Sequence, residues 1–430
     1  MRVAFYTLGC KVNQYETEIM SDLFYQNGYD VVHYDDEADV YVVNSCTVTS
    51  SGDKKARQAL RRFKRNNPDA VVVLTGCFPQ AFPDVDQQIP EADVITGSYN
   101  RGKVVDLVQR FLETRERVIE ITPHQRQEPF EKMAVKKFTE RTRAFVKIED
   151  GCDRYCSYCI IPTARGPVRS KTMEDLKQEL TDLAANGYLE VVLVGINLSS
   201  YGRDLENVRL LDAIQLACSI PGIERVRLGS LEPELLTDED IHEMAKMEKF
   251  CPQFHLSLQS GCDATLKRMN RHYDTKEYTR IVEAIRKAFD NPSITTDIMV
   301  GFAGETDEEF QQSLEYARFI KLAKAHVFPY SIRQGTRAAK MPDQVSNAEK
   351  ARRAALMAKV TGETRLEFLK TQVGKQESVL VETFHNGIME GYTKNYTPVR
   401  INTDENLCGQ IKCVKIIDVL DDKCVGELID

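Results

Sequence analysis

The chain contains no hydrophobic run long enough to cross a bilayer. Hydrophobic residues make up 42% of its 430 positions, but they occur in short segments between charged residues. A membrane-spanning helix needs about 20 consecutive apolar residues, so the sequence excludes an integral helical membrane protein. Met1 is also not followed by the charged and then apolar segment of a secretory leader. We therefore expect a cytoplasmic protein with no membrane partner.

An excess of positive charge is also lacking. The 57 Lys and Arg residues are outnumbered by 65 Asp and Glu residues, which gives a formal net charge of −8. This balance excludes binding of nucleic acid through overall charge, so a polyanion would have to meet a local basic patch. In a reducing compartment, the 12 cysteines are expected to be metal ligands or buried thiols rather than disulfides.

Residues 1–115 alternate strand-like and helix-like segments, which predicts an N-terminal open parallel α/β sheet. A helix capped by Asn13, with Glu16 three residues later, is expected after the first strand. The β-branched runs that predict strands are Val3–Thr7, Val40–Val43 and Val71–Leu74.

A second series of strand and helix signals covers residues 138–368, after a polar stretch at 121–143 that we interpret as a linker. About six βα units predict a partial (β/α)6 barrel whose active face lies at the carboxyl ends of its strands. Helix starts are indicated by the patterns Thr306…Glu309 and Ser346…Glu349, the second helix running to about Leu369. The predicted strands are Phe145–Ile148, Val191–Val194, Arg225–Leu228, Phe254–Leu258, Ile294–Val300 and Ala325–Phe328.

Residues 371–430 change character and predict a small all-β barrel. The segments are short and β-rich, with Gly, Asn and Asp between them. They are Val379–Val381, Pro398–Ile401, Gln410–Ile417 and Lys423–Leu428. The whole chain is therefore expected to be an α/β multidomain protein.

Three cysteines form a compact C-x3-C-x2-C loop just after the first barrel strand: Cys152, Cys156 and Cys159. A structural zinc site needs four nitrogen or sulfur ligands, usually as paired C-x2-C units, and no second pair follows here. Three thiolates on a four-iron cluster would leave one iron without a protein ligand, open to a reagent. The spacing therefore favours an iron–sulfur site.

Three further cysteines lie far apart in sequence, each directly after a predicted strand: Cys10, Cys46 and Cys77. The carboxyl ends of parallel strands lie at one edge of a sheet, so these thiols are expected to meet there. The neighbouring Gly9 and Gly76 would allow the backbone to approach a bulky cluster closely. The alternative is three unrelated buried cysteines acting as small apolar residues.

The remaining cysteines are expected to lie in hydrophobic cores and not to bind metal. They are Cys218, Cys251, Cys262, Cys408, Cys413 and Cys424.

The compact loop resembles the radical S-adenosylmethionine (SAM) superfamily, which has an aromatic residue, here Tyr158, before the last cysteine. The resemblance implies a 4Fe–4S cluster whose open iron is chelated by SAM, and cleavage of SAM to a 5′-deoxyadenosyl radical. Gly195 and Asn197 lie where the superfamily has a Gly-Gly-Glu turn, from which Asn197 departs. Gln259 and Gly301 follow later strands and resemble other SAM-binding segments. Taken singly, plain turns would explain each of these segments equally well.

The whole chain looks like the methylthiotransferase family, which joins an N-terminal cluster domain, a radical SAM barrel and a C-terminal TRAM domain. The resemblance implies that Cys10, Cys46 and Cys77 hold a second 4Fe–4S cluster that carries the transferred sulfur. It also implies two SAM molecules, one as methyl donor and one as radical source. The run from Leu8 to Glu18 looks like the MtaB type, which acts on N6-threonylcarbamoyladenosine at position 37, in the anticodon loop of tRNA.

Two alternatives keep this chemistry and change the target, to isopentenyladenosine-37 of tRNA or to an aspartate of a ribosomal protein. A third is a metal-stabilised RNA-binding protein without catalysis. The resemblance implies a sulfur donor and an electron donor, neither of which the sequence identifies. No catalytic acid or base is assigned, because the C2–H bond of adenine offers no acidic proton to a side chain.

Two basic stretches and the C-terminal barrel are candidate RNA contacts, with a solvated helix face and barrel-filling rings as the ordinary alternatives. The stronger stretch is Lys54, Lys55, Arg57, Arg61, Arg62, Lys64 and Arg65, and the weaker one is Lys136, Lys137, Arg141 and Arg143. The barrel residues are Phe384, His385, Tyr392, Lys394, Tyr396 and Arg400.

Overall fold

The structure is a computed structural model that describes residues 1–135 and 142–429. Its N-terminal part is an α/β sheet with helices on both faces. The strands and helices in chain order are β1 (Arg2–Thr7), α1 (Lys11–Gln26), β2 (Asp30–Val32), β3 (Val40–Ser45), α2 (Ser50–Asn66), β4 (Val71–Gly76), α3 (Cys77–Ala81), β5 (Val94–Thr96), α4 (Val104–Thr114) and β6 (Val118–Glu120). Short 3₁₀ helices span Pro83–Gln88 and Arg101–Lys103.

The six strands are all parallel, in the order β2-β1-β3-β4-β5-β6, which confirms the predicted sheet. The central strands β3 and β4 are wholly buried because a hydrophobic core lies on each side of them. Their Val-rich sequences suit burial on both faces. The carboxyl ends of β1, β3 and β4 consequently lie side by side at one edge.

Helix α1 begins at Lys11 with Cys10 at its N-cap, three residues before Asn13, the predicted capping residue. The prediction that Asn13 caps this helix is therefore wrong. Asn13 is buried, and its amide donates to the carbonyl oxygen of Ser45 at 3.1 Å. Glu16 is also fully buried. Both polar groups face partners from distant segments, which a local capping pattern does not reveal.

The central part alternates strands and helices. The elements are β7 (Arg143–Lys147), β8 (Glu149–Asp150), α5 (Ile161–Arg165), β9 (Arg169–Ser170), α6 (Met173–Ala185), β10 (Glu190–Val194), α7 (Leu210–Ser219), β11 (Arg225–Leu228), β12 (Ser230–Leu231), α8 (Asp238–Ala245), β13 (Gln253–Leu256), α9 (Asp263–Arg268), α10 (Thr275–Ala288), β14 (Ser293–Val300), α11 (Asp307–Ile320), β15 (Lys324–Pro329) and α12 (Asn347–Lys370). Short 3₁₀ helices span Leu198–Ser200, Pro233–Leu235 and Ala338–Lys340.

The strands form two parallel sheets, β7-β10-β11 and β12-β13-β14-β15. Strands β11 and β12 are separated only by Gly229 and act as one interrupted strand. Counted in this way, the two sheets continue as one curved series of six strands. One large hydrophobic cluster lies between this sheet and its helices. The predicted partial (β/α)6 barrel is confirmed.

The two predicted helix starts differ in their capping. At α11, Thr306 and Glu309 form the complete capping box. At α12, Ser346 accepts from the Glu349 amide, but the Glu349 carboxylate pairs with Arg352 and Arg353 instead of returning to the cap. Among the described residues, no helix is long and apolar enough to span a membrane.

Over residues 121–135, the stretch predicted as a linker connects the N-terminal sheet to the central part and packs against both. Its hydrogen bonds, each given from donor to acceptor, are Gln80 Nε2 to Thr122 O (3.0 Å), Arg101 Nη1 to Glu131 Oε2 (2.7 Å), Tyr15 OH to Met133 O (3.1 Å) and the Val135 amide to Glu179 Oε1 (3.0 Å). Of the weaker basic stretch, Lys136, Lys137 and Arg141 lie outside the described residues.

The C-terminal part is a closed five-stranded barrel, as predicted, in the order β16-β17-β18-β20-β19. The predicted segments are all strands, and one strand of alternating buried and half-buried residues was missed. The strands are β16 (Gln376–His385), β17 (Ile388–Thr393), β18 (Pro398–Asn402), β19 (Ile411–Leu420) and β20 (Lys423–Leu428).

The cysteines assigned to cores divide into two groups. Cys251, Cys262 and Cys424 are buried as predicted, and Cys218 is half-buried. The prediction is wrong for Cys408 and Cys413, which are exposed. Cys413 lies on the outer face of β19, and Cys408 lies in the turn before this strand.

Candidate active site

The compact cysteine loop lies at the carboxyl end of the first barrel strands, after β8. Cys152, Cys156 and Cys159 are each partly exposed there. The loop is held in place by its polar backbone, since the Ser157 amide donates to the Met269 carbonyl oxygen at 2.9 Å. The three thiols therefore face the mouth of the barrel from one fixed segment.

The thiols of this loop are largely surrounded by protein, and hydrogen-bond donors lie next to two of them. Burial raises the pKa of Cys152 well above its usual value, and burial next to Cys156 raises the pKa of Cys159 to about 12. Arg271 Nη1 lies 3.2 Å from Cys156 Sγ, and Asn197 Nδ2 lies 3.8 Å from Cys152 Sγ. Metal binding at such thiols must release their protons, and the donors then stabilise the thiolates.

The three dispersed cysteines meet at the edge of the N-terminal sheet. Cys10 caps α1, Cys46 follows β3, and Cys77 is the first residue of α3. Burial raises the pKa of Cys46 to about 12, with Cys77 and Cys10 both adding to the rise. A Cβ atom on Gly9 would lie 2.7 Å from the Cβ of Cys46, so only glycine fits there.

Each set supplies three thiols, which is the donor type that holds an iron–sulfur cluster. A 4Fe–4S cluster places each thiolate on a different iron. At Gly76 the backbone before Cys77 comes close to the backbone before Cys46, since a Cβ on Gly76 would lie 2.5 Å from the Ser45 carbonyl oxygen. The residues present therefore fit a cluster at each set.

A buried arginine from the barrel reaches the dispersed set. Arg165, at the end of α5, lies with its Nε 3.1 Å from Cys77 Sγ. Its Nη2 donates to Glu16 Oε2 at 3.0 Å, and its Nη1 is 3.5 Å from Asp150 Oδ2, two residues before the compact loop. Sequence reasoning missed Arg165, and its position shortly after Cys159 was the only local signal.

Glu16 is the central anion of this network. It accepts from Arg165, and it lies 3.0 Å from both Arg101 Nη2 and Lys147 Nζ. Burial would raise the pKa of Glu16, but Arg101, Arg165 and Lys147 outweigh it and lower the pKa to about 2. The ion pairs join the N-terminal sheet, the barrel and both cysteine sets into one water-excluding contact.

The first predicted SAM-binding turn is built against a buried carboxyl group. The Asn197 amide donates to Glu149 Oε2 at 2.7 Å, and a Cβ on Gly195 would lie 2.6 Å from the same oxygen. Burial raises the pKa of Glu149 well above its usual value. Asn197 Oδ1 and Glu149 Oε1 are buried and have no hydrogen-bond partner among the described residues, so both oxygens are available to a donor from a bound molecule.

The other predicted SAM residues are divided between a cavity and the packing behind it. Tyr158 and Gln259 line a cavity of about 160 Å³ together with Cys159. Gly301 is outside its wall, and a Cβ there would lie 2.4 Å from Lys350 Cγ of α12. Gly301 therefore sets the spacing between β14 and α12.

A larger cavity of about 620 Å³ opens between the N-terminal sheet, the central barrel and the C-terminal barrel. Cys10 of the dispersed set and Gly195 of the predicted SAM-binding turn both line it. Asp297 of β14 lies in the walls of both cavities. The two spaces are thus neighbours along β14.

Two comparisons with family models divide the chain in the same way as the fold. The model described as Radical SAM superfamily matches residues 146–317. The model described as Uncharacterized protein family UPF0004 matches residues 2–97. The first match includes the compact cysteine loop, and the second includes all three dispersed cysteines.

Full-length relatives decide the family. Threonylcarbamoyladenosine tRNA methylthiotransferase MtaB of Bacillus subtilis is 37% identical over 421 residues, which cover 96% of this chain and 93% of the relative. The protein of the same name from Aquifex aeolicus is 37% identical and covers 91% of this chain and 95% of that protein. The chain belongs to the radical SAM methylthiotransferase family. Membership of the radical SAM superfamily implies a 4Fe–4S cluster and SAM.

Another relative of this methylthiotransferase has a different name. A tRNA-2-methylthio-N(6)-dimethylallyladenosine synthase from Pelotomaculum thermopropionicum is 34% identical, covering 95% of this chain and 93% of that protein. Among solved structures, the radical SAM methyltransferase TsrM from Kitasatospora setae has a TM-score of 0.57 at 14% identity, covering 76% of this chain and 72% of that one. That likeness shows the fold alone.

The basic stretch of the methylthiotransferase lies on α2, and the structure divides its cations. Lys54, Lys55 and Arg65 are exposed, while Arg57 is half-buried with its guanidinium 5.1 Å from the Phe78 ring. The remaining three cations form ion pairs within the sheet domain: Arg61–Glu91 (3.1 Å), Arg62–Asp35 (3.6 Å) and Lys64–Asp93 (2.9 Å). The prediction of phosphate contacts therefore narrows to Lys54, Lys55 and Arg65, which are exposed and form no ion pair with the described residues.

The C-terminal barrel of the methylthiotransferase contributes two aromatic rings to the large cavity. Tyr392 and Tyr396 stack at 4.4 Å between ring centroids, with Arg143 about 5 Å from each ring. Lys394, which lies between them in sequence, donates a hydrogen bond to the carbonyl oxygen of Glu248 in the central barrel. The other predicted RNA residues lie elsewhere on this barrel: Phe384 and Arg400 are half-buried, and His385 is exposed.

Proposed function

We propose that this enzyme transfers a methylthio group to C2 of N6-threonylcarbamoyladenosine at position 37 of tRNA. The observation that carries the proposal is the convergence of both cysteine sets on one pair of neighbouring cavities. Cys10 lines the large cavity, Cys159 lines the small one, and Asp297 lies in the walls of both. Val48 and Thr49, which follow Cys46, also line the small cavity.

We assign the metal ligands by set. Cys152, Cys156 and Cys159 would hold the superfamily cluster, and a second 4Fe–4S cluster is proposed at the dispersed set defined above. When bound, the clusters and SAM supply radical chemistry and a transferable sulfur, which C2 requires because a side-chain base has no acidic proton to remove there. Tyr158, Gly195, Asn197, Gln259 and Gly301 are proposed to bind or position SAM.

The chain itself has three tasks in this reaction. Arg271 and Arg165 donate hydrogen bonds to one thiol of each set, which stabilises the thiolate form needed for metal binding. The buried ion pairs around Glu16 exclude water from the contact between the N-terminal sheet and the barrel. The Tyr392 and Tyr396 side chains line the large cavity, where they are proposed to contact a base taken out of the anticodon loop.

The remaining assignments rest on this function. The domains are proposed as residues 1–115 for the second cluster, 138–368 for the radical SAM core and 371–430 for the TRAM barrel. The closed C-terminal barrel supports the last of these. An external electron donor and a sulfur donor are required as partners, and a tRNA substrate favours a cytoplasmic location.

The choice of base is tested with three RNA substrates. Anaerobically reconstituted enzyme is incubated with anticodon stem-loops whose position 37 carries threonylcarbamoyl-, isopentenyl- or unmodified adenosine, and the nucleosides are analysed by mass spectrometry. We expect the 2-methylthio product from the first RNA alone. Product from the isopentenyl RNA instead would assign the enzyme to the function named for the relative from Pelotomaculum thermopropionicum. Product from neither RNA, together with a methylthiolated ribosomal peptide, would assign the third target.

A further inference from the structure

Four cations line the large cavity, and three of them form ion pairs with two carboxylates. Lys324 and Arg365 share Asp422, at 3.6 and 2.8 Å. Lys423 pairs with Glu390. For Lys11 the described residues provide no carboxylate within ion-pair distance and no side-chain hydrogen bond. Lys11 is therefore the unpaired cation of this wall.

The surroundings of Lys11 add further positive charge. Arg143 and Arg227 act on its ammonium with the same charge, and Glu190 acts on it with the opposite charge. Among the described residues, these two guanidiniums and that of Arg225 form ion pairs with two carboxylates, those of Glu190 and Glu382. Water in the cavity reaches the Lys11 side chain, although protein surrounds it on most sides. An anion in the cavity would relieve this local excess of positive charge.

We propose that the Lys11 ammonium binds the carboxylate of the threonylcarbamoyl group on the substrate base. The inference rests on the proposed function and names the part of the substrate that this residue recognises. C2 and the N6 substituent lie on the same edge of adenine, so a residue that binds the substituent should stand near the place where C2 reacts. Lys11 meets this requirement because it follows Cys10 directly and lines the same cavity.

The charge also supplies specificity. An isopentenyl group is uncharged, and placing it against an unpaired ammonium would leave that cation without a partner in a confined space. A carboxylate in the same position forms a charge-assisted hydrogen bond. The competing role for Lys11 is to balance the negative charge of a cluster held by Cys10, in which case its loss would affect every RNA equally.

The experiment compares binding of two stem-loops, one with the natural threonylcarbamoyl carboxylate and one with that group as its neutral carboxamide. Dissociation constants are measured by fluorescence anisotropy on reconstituted enzyme, together with iron content. We expect wild type to bind the carboxylate RNA about 10- to 100-fold more tightly. Lys11→Gln should bind both RNAs as wild type binds the carboxamide, with iron unchanged, while Lys11→Arg keeps the preference. Lys246→Gln, which removes an exposed charge on α8, should match wild type.

Each other outcome overturns the inference. An undiminished preference in Lys11→Gln would show that another group binds the carboxylate. Equal weakening for both RNAs, or loss of iron, would assign the charge to the cluster. The proposed function fails separately, when wild type forms no 2-methylthio product on the natural RNA, because that result does not depend on any Lys11 variant.

Discussion

The tightest approach at the dispersed cysteines is made by one glycine. Gly9 has a φ of +117°, and a Cβ there would meet the Cys46 Cβ at 2.7 Å. We expect Gly9→Ala to displace Cys46, to lower the iron content by about half, and to spare SAM cleavage, because the compact loop is untouched. Iron analysis and 5′-deoxyadenosine release measure the two effects.

Gly28 is the matched control for that substitution. It also has a positive φ, of +82°, but nothing lies within 4 Å of a Cβ placed there. Gly28→Ala should therefore cost about 1–2 kcal/mol of backbone strain and leave the iron content unchanged. Equal iron loss in both variants would show that strain, and not the contact with Cys46, is responsible.

A single carboxylate makes the stability of the metal-free protein pH-dependent. The folded pKa of Glu16 is about 2 against an ordinary value of 4.5, so acid protonates it first in the unfolded chain. Its stabilising effect is complete above the unfolded pKa and is lost as pH falls through the folded pKa. We expect the free energy of unfolding to fall by about 3 kcal/mol between pH 5 and pH 2 from this group. Asp150, whose pKa is also lowered by Lys147 and Arg165, adds in the same direction.

Urea titrations of metal-free protein across this pH range measure the effect. Glu16→Gln should be less stable at pH 5, because three buried cations lose their shared anion. Its stability should also decline less steeply with acid than that of wild type. Parallel curves for the two proteins would mean that Glu16 does not carry the predicted linkage.

At the scale of elements, strands that are buried on both faces of a sheet were predicted well. Val40–Val43 and Val71–Leu74 are continuous β-branched runs, and such runs specify central parallel strands without tertiary information. Strand β17 was missed because half of its residues are polar or glycine and only its partners bury the rest. The start of α1 was placed three residues late because Asn13 looks like a cap, although its side chain binds another strand.

The docking of the C-terminal barrel depends on arginines from one barrel strand. Arg225, on β11, donates to the carbonyl oxygens of Tyr392 and Ser378 at 3.0 and 2.6 Å. Arg225→Met removes these bonds between the two barrels, so amides of β16 and β17 should exchange hydrogen faster. We expect weaker tRNA binding with unchanged iron content and SAM cleavage, measured by hydrogen exchange and anisotropy.

Arg286 is the matched control, because it also donates two hydrogen bonds to backbone carbonyl oxygens but does not contact the C-terminal barrel through them. It donates to the carbonyl oxygens of Ile320 and Lys321, both within the central barrel. Arg286→Met should leave exchange in β16 and β17 and tRNA affinity as in wild type. If Arg225→Met also leaves both unchanged, the C-terminal barrel is held by its other contacts.

At the scale of the whole molecule, the candidate site is a contact between distant segments. Glu16 and Arg165 are 149 positions apart in sequence, and they join the two cysteine regions. The cysteines were predictable because their positions after strands place them at one edge. Arg165, Arg271 and Lys11 were not predicted, because proximity to a cysteine in sequence, which only Arg165 and Lys11 have, does not show that a cation is buried or lines a cavity. Their roles follow only from which segments the fold brings together.

The two cysteine sets should differ in what their loss removes. Replacing Cys152, Cys156 and Cys159 by alanine should lower the iron content from about eight to about four per chain and abolish SAM cleavage. The same change at Cys10, Cys46 and Cys77 should remove a similar amount of iron and stop methylthiolation, but spare cleavage, because the SAM-binding residues lie on the barrel. A triple alanine variant of half-buried Cys218 and exposed Cys408 and Cys413 controls for the number of thiols and should keep all its iron. Equal loss of SAM cleavage from both sets would contradict this division, since it would mean that the dispersed thiols are needed to form the compact site.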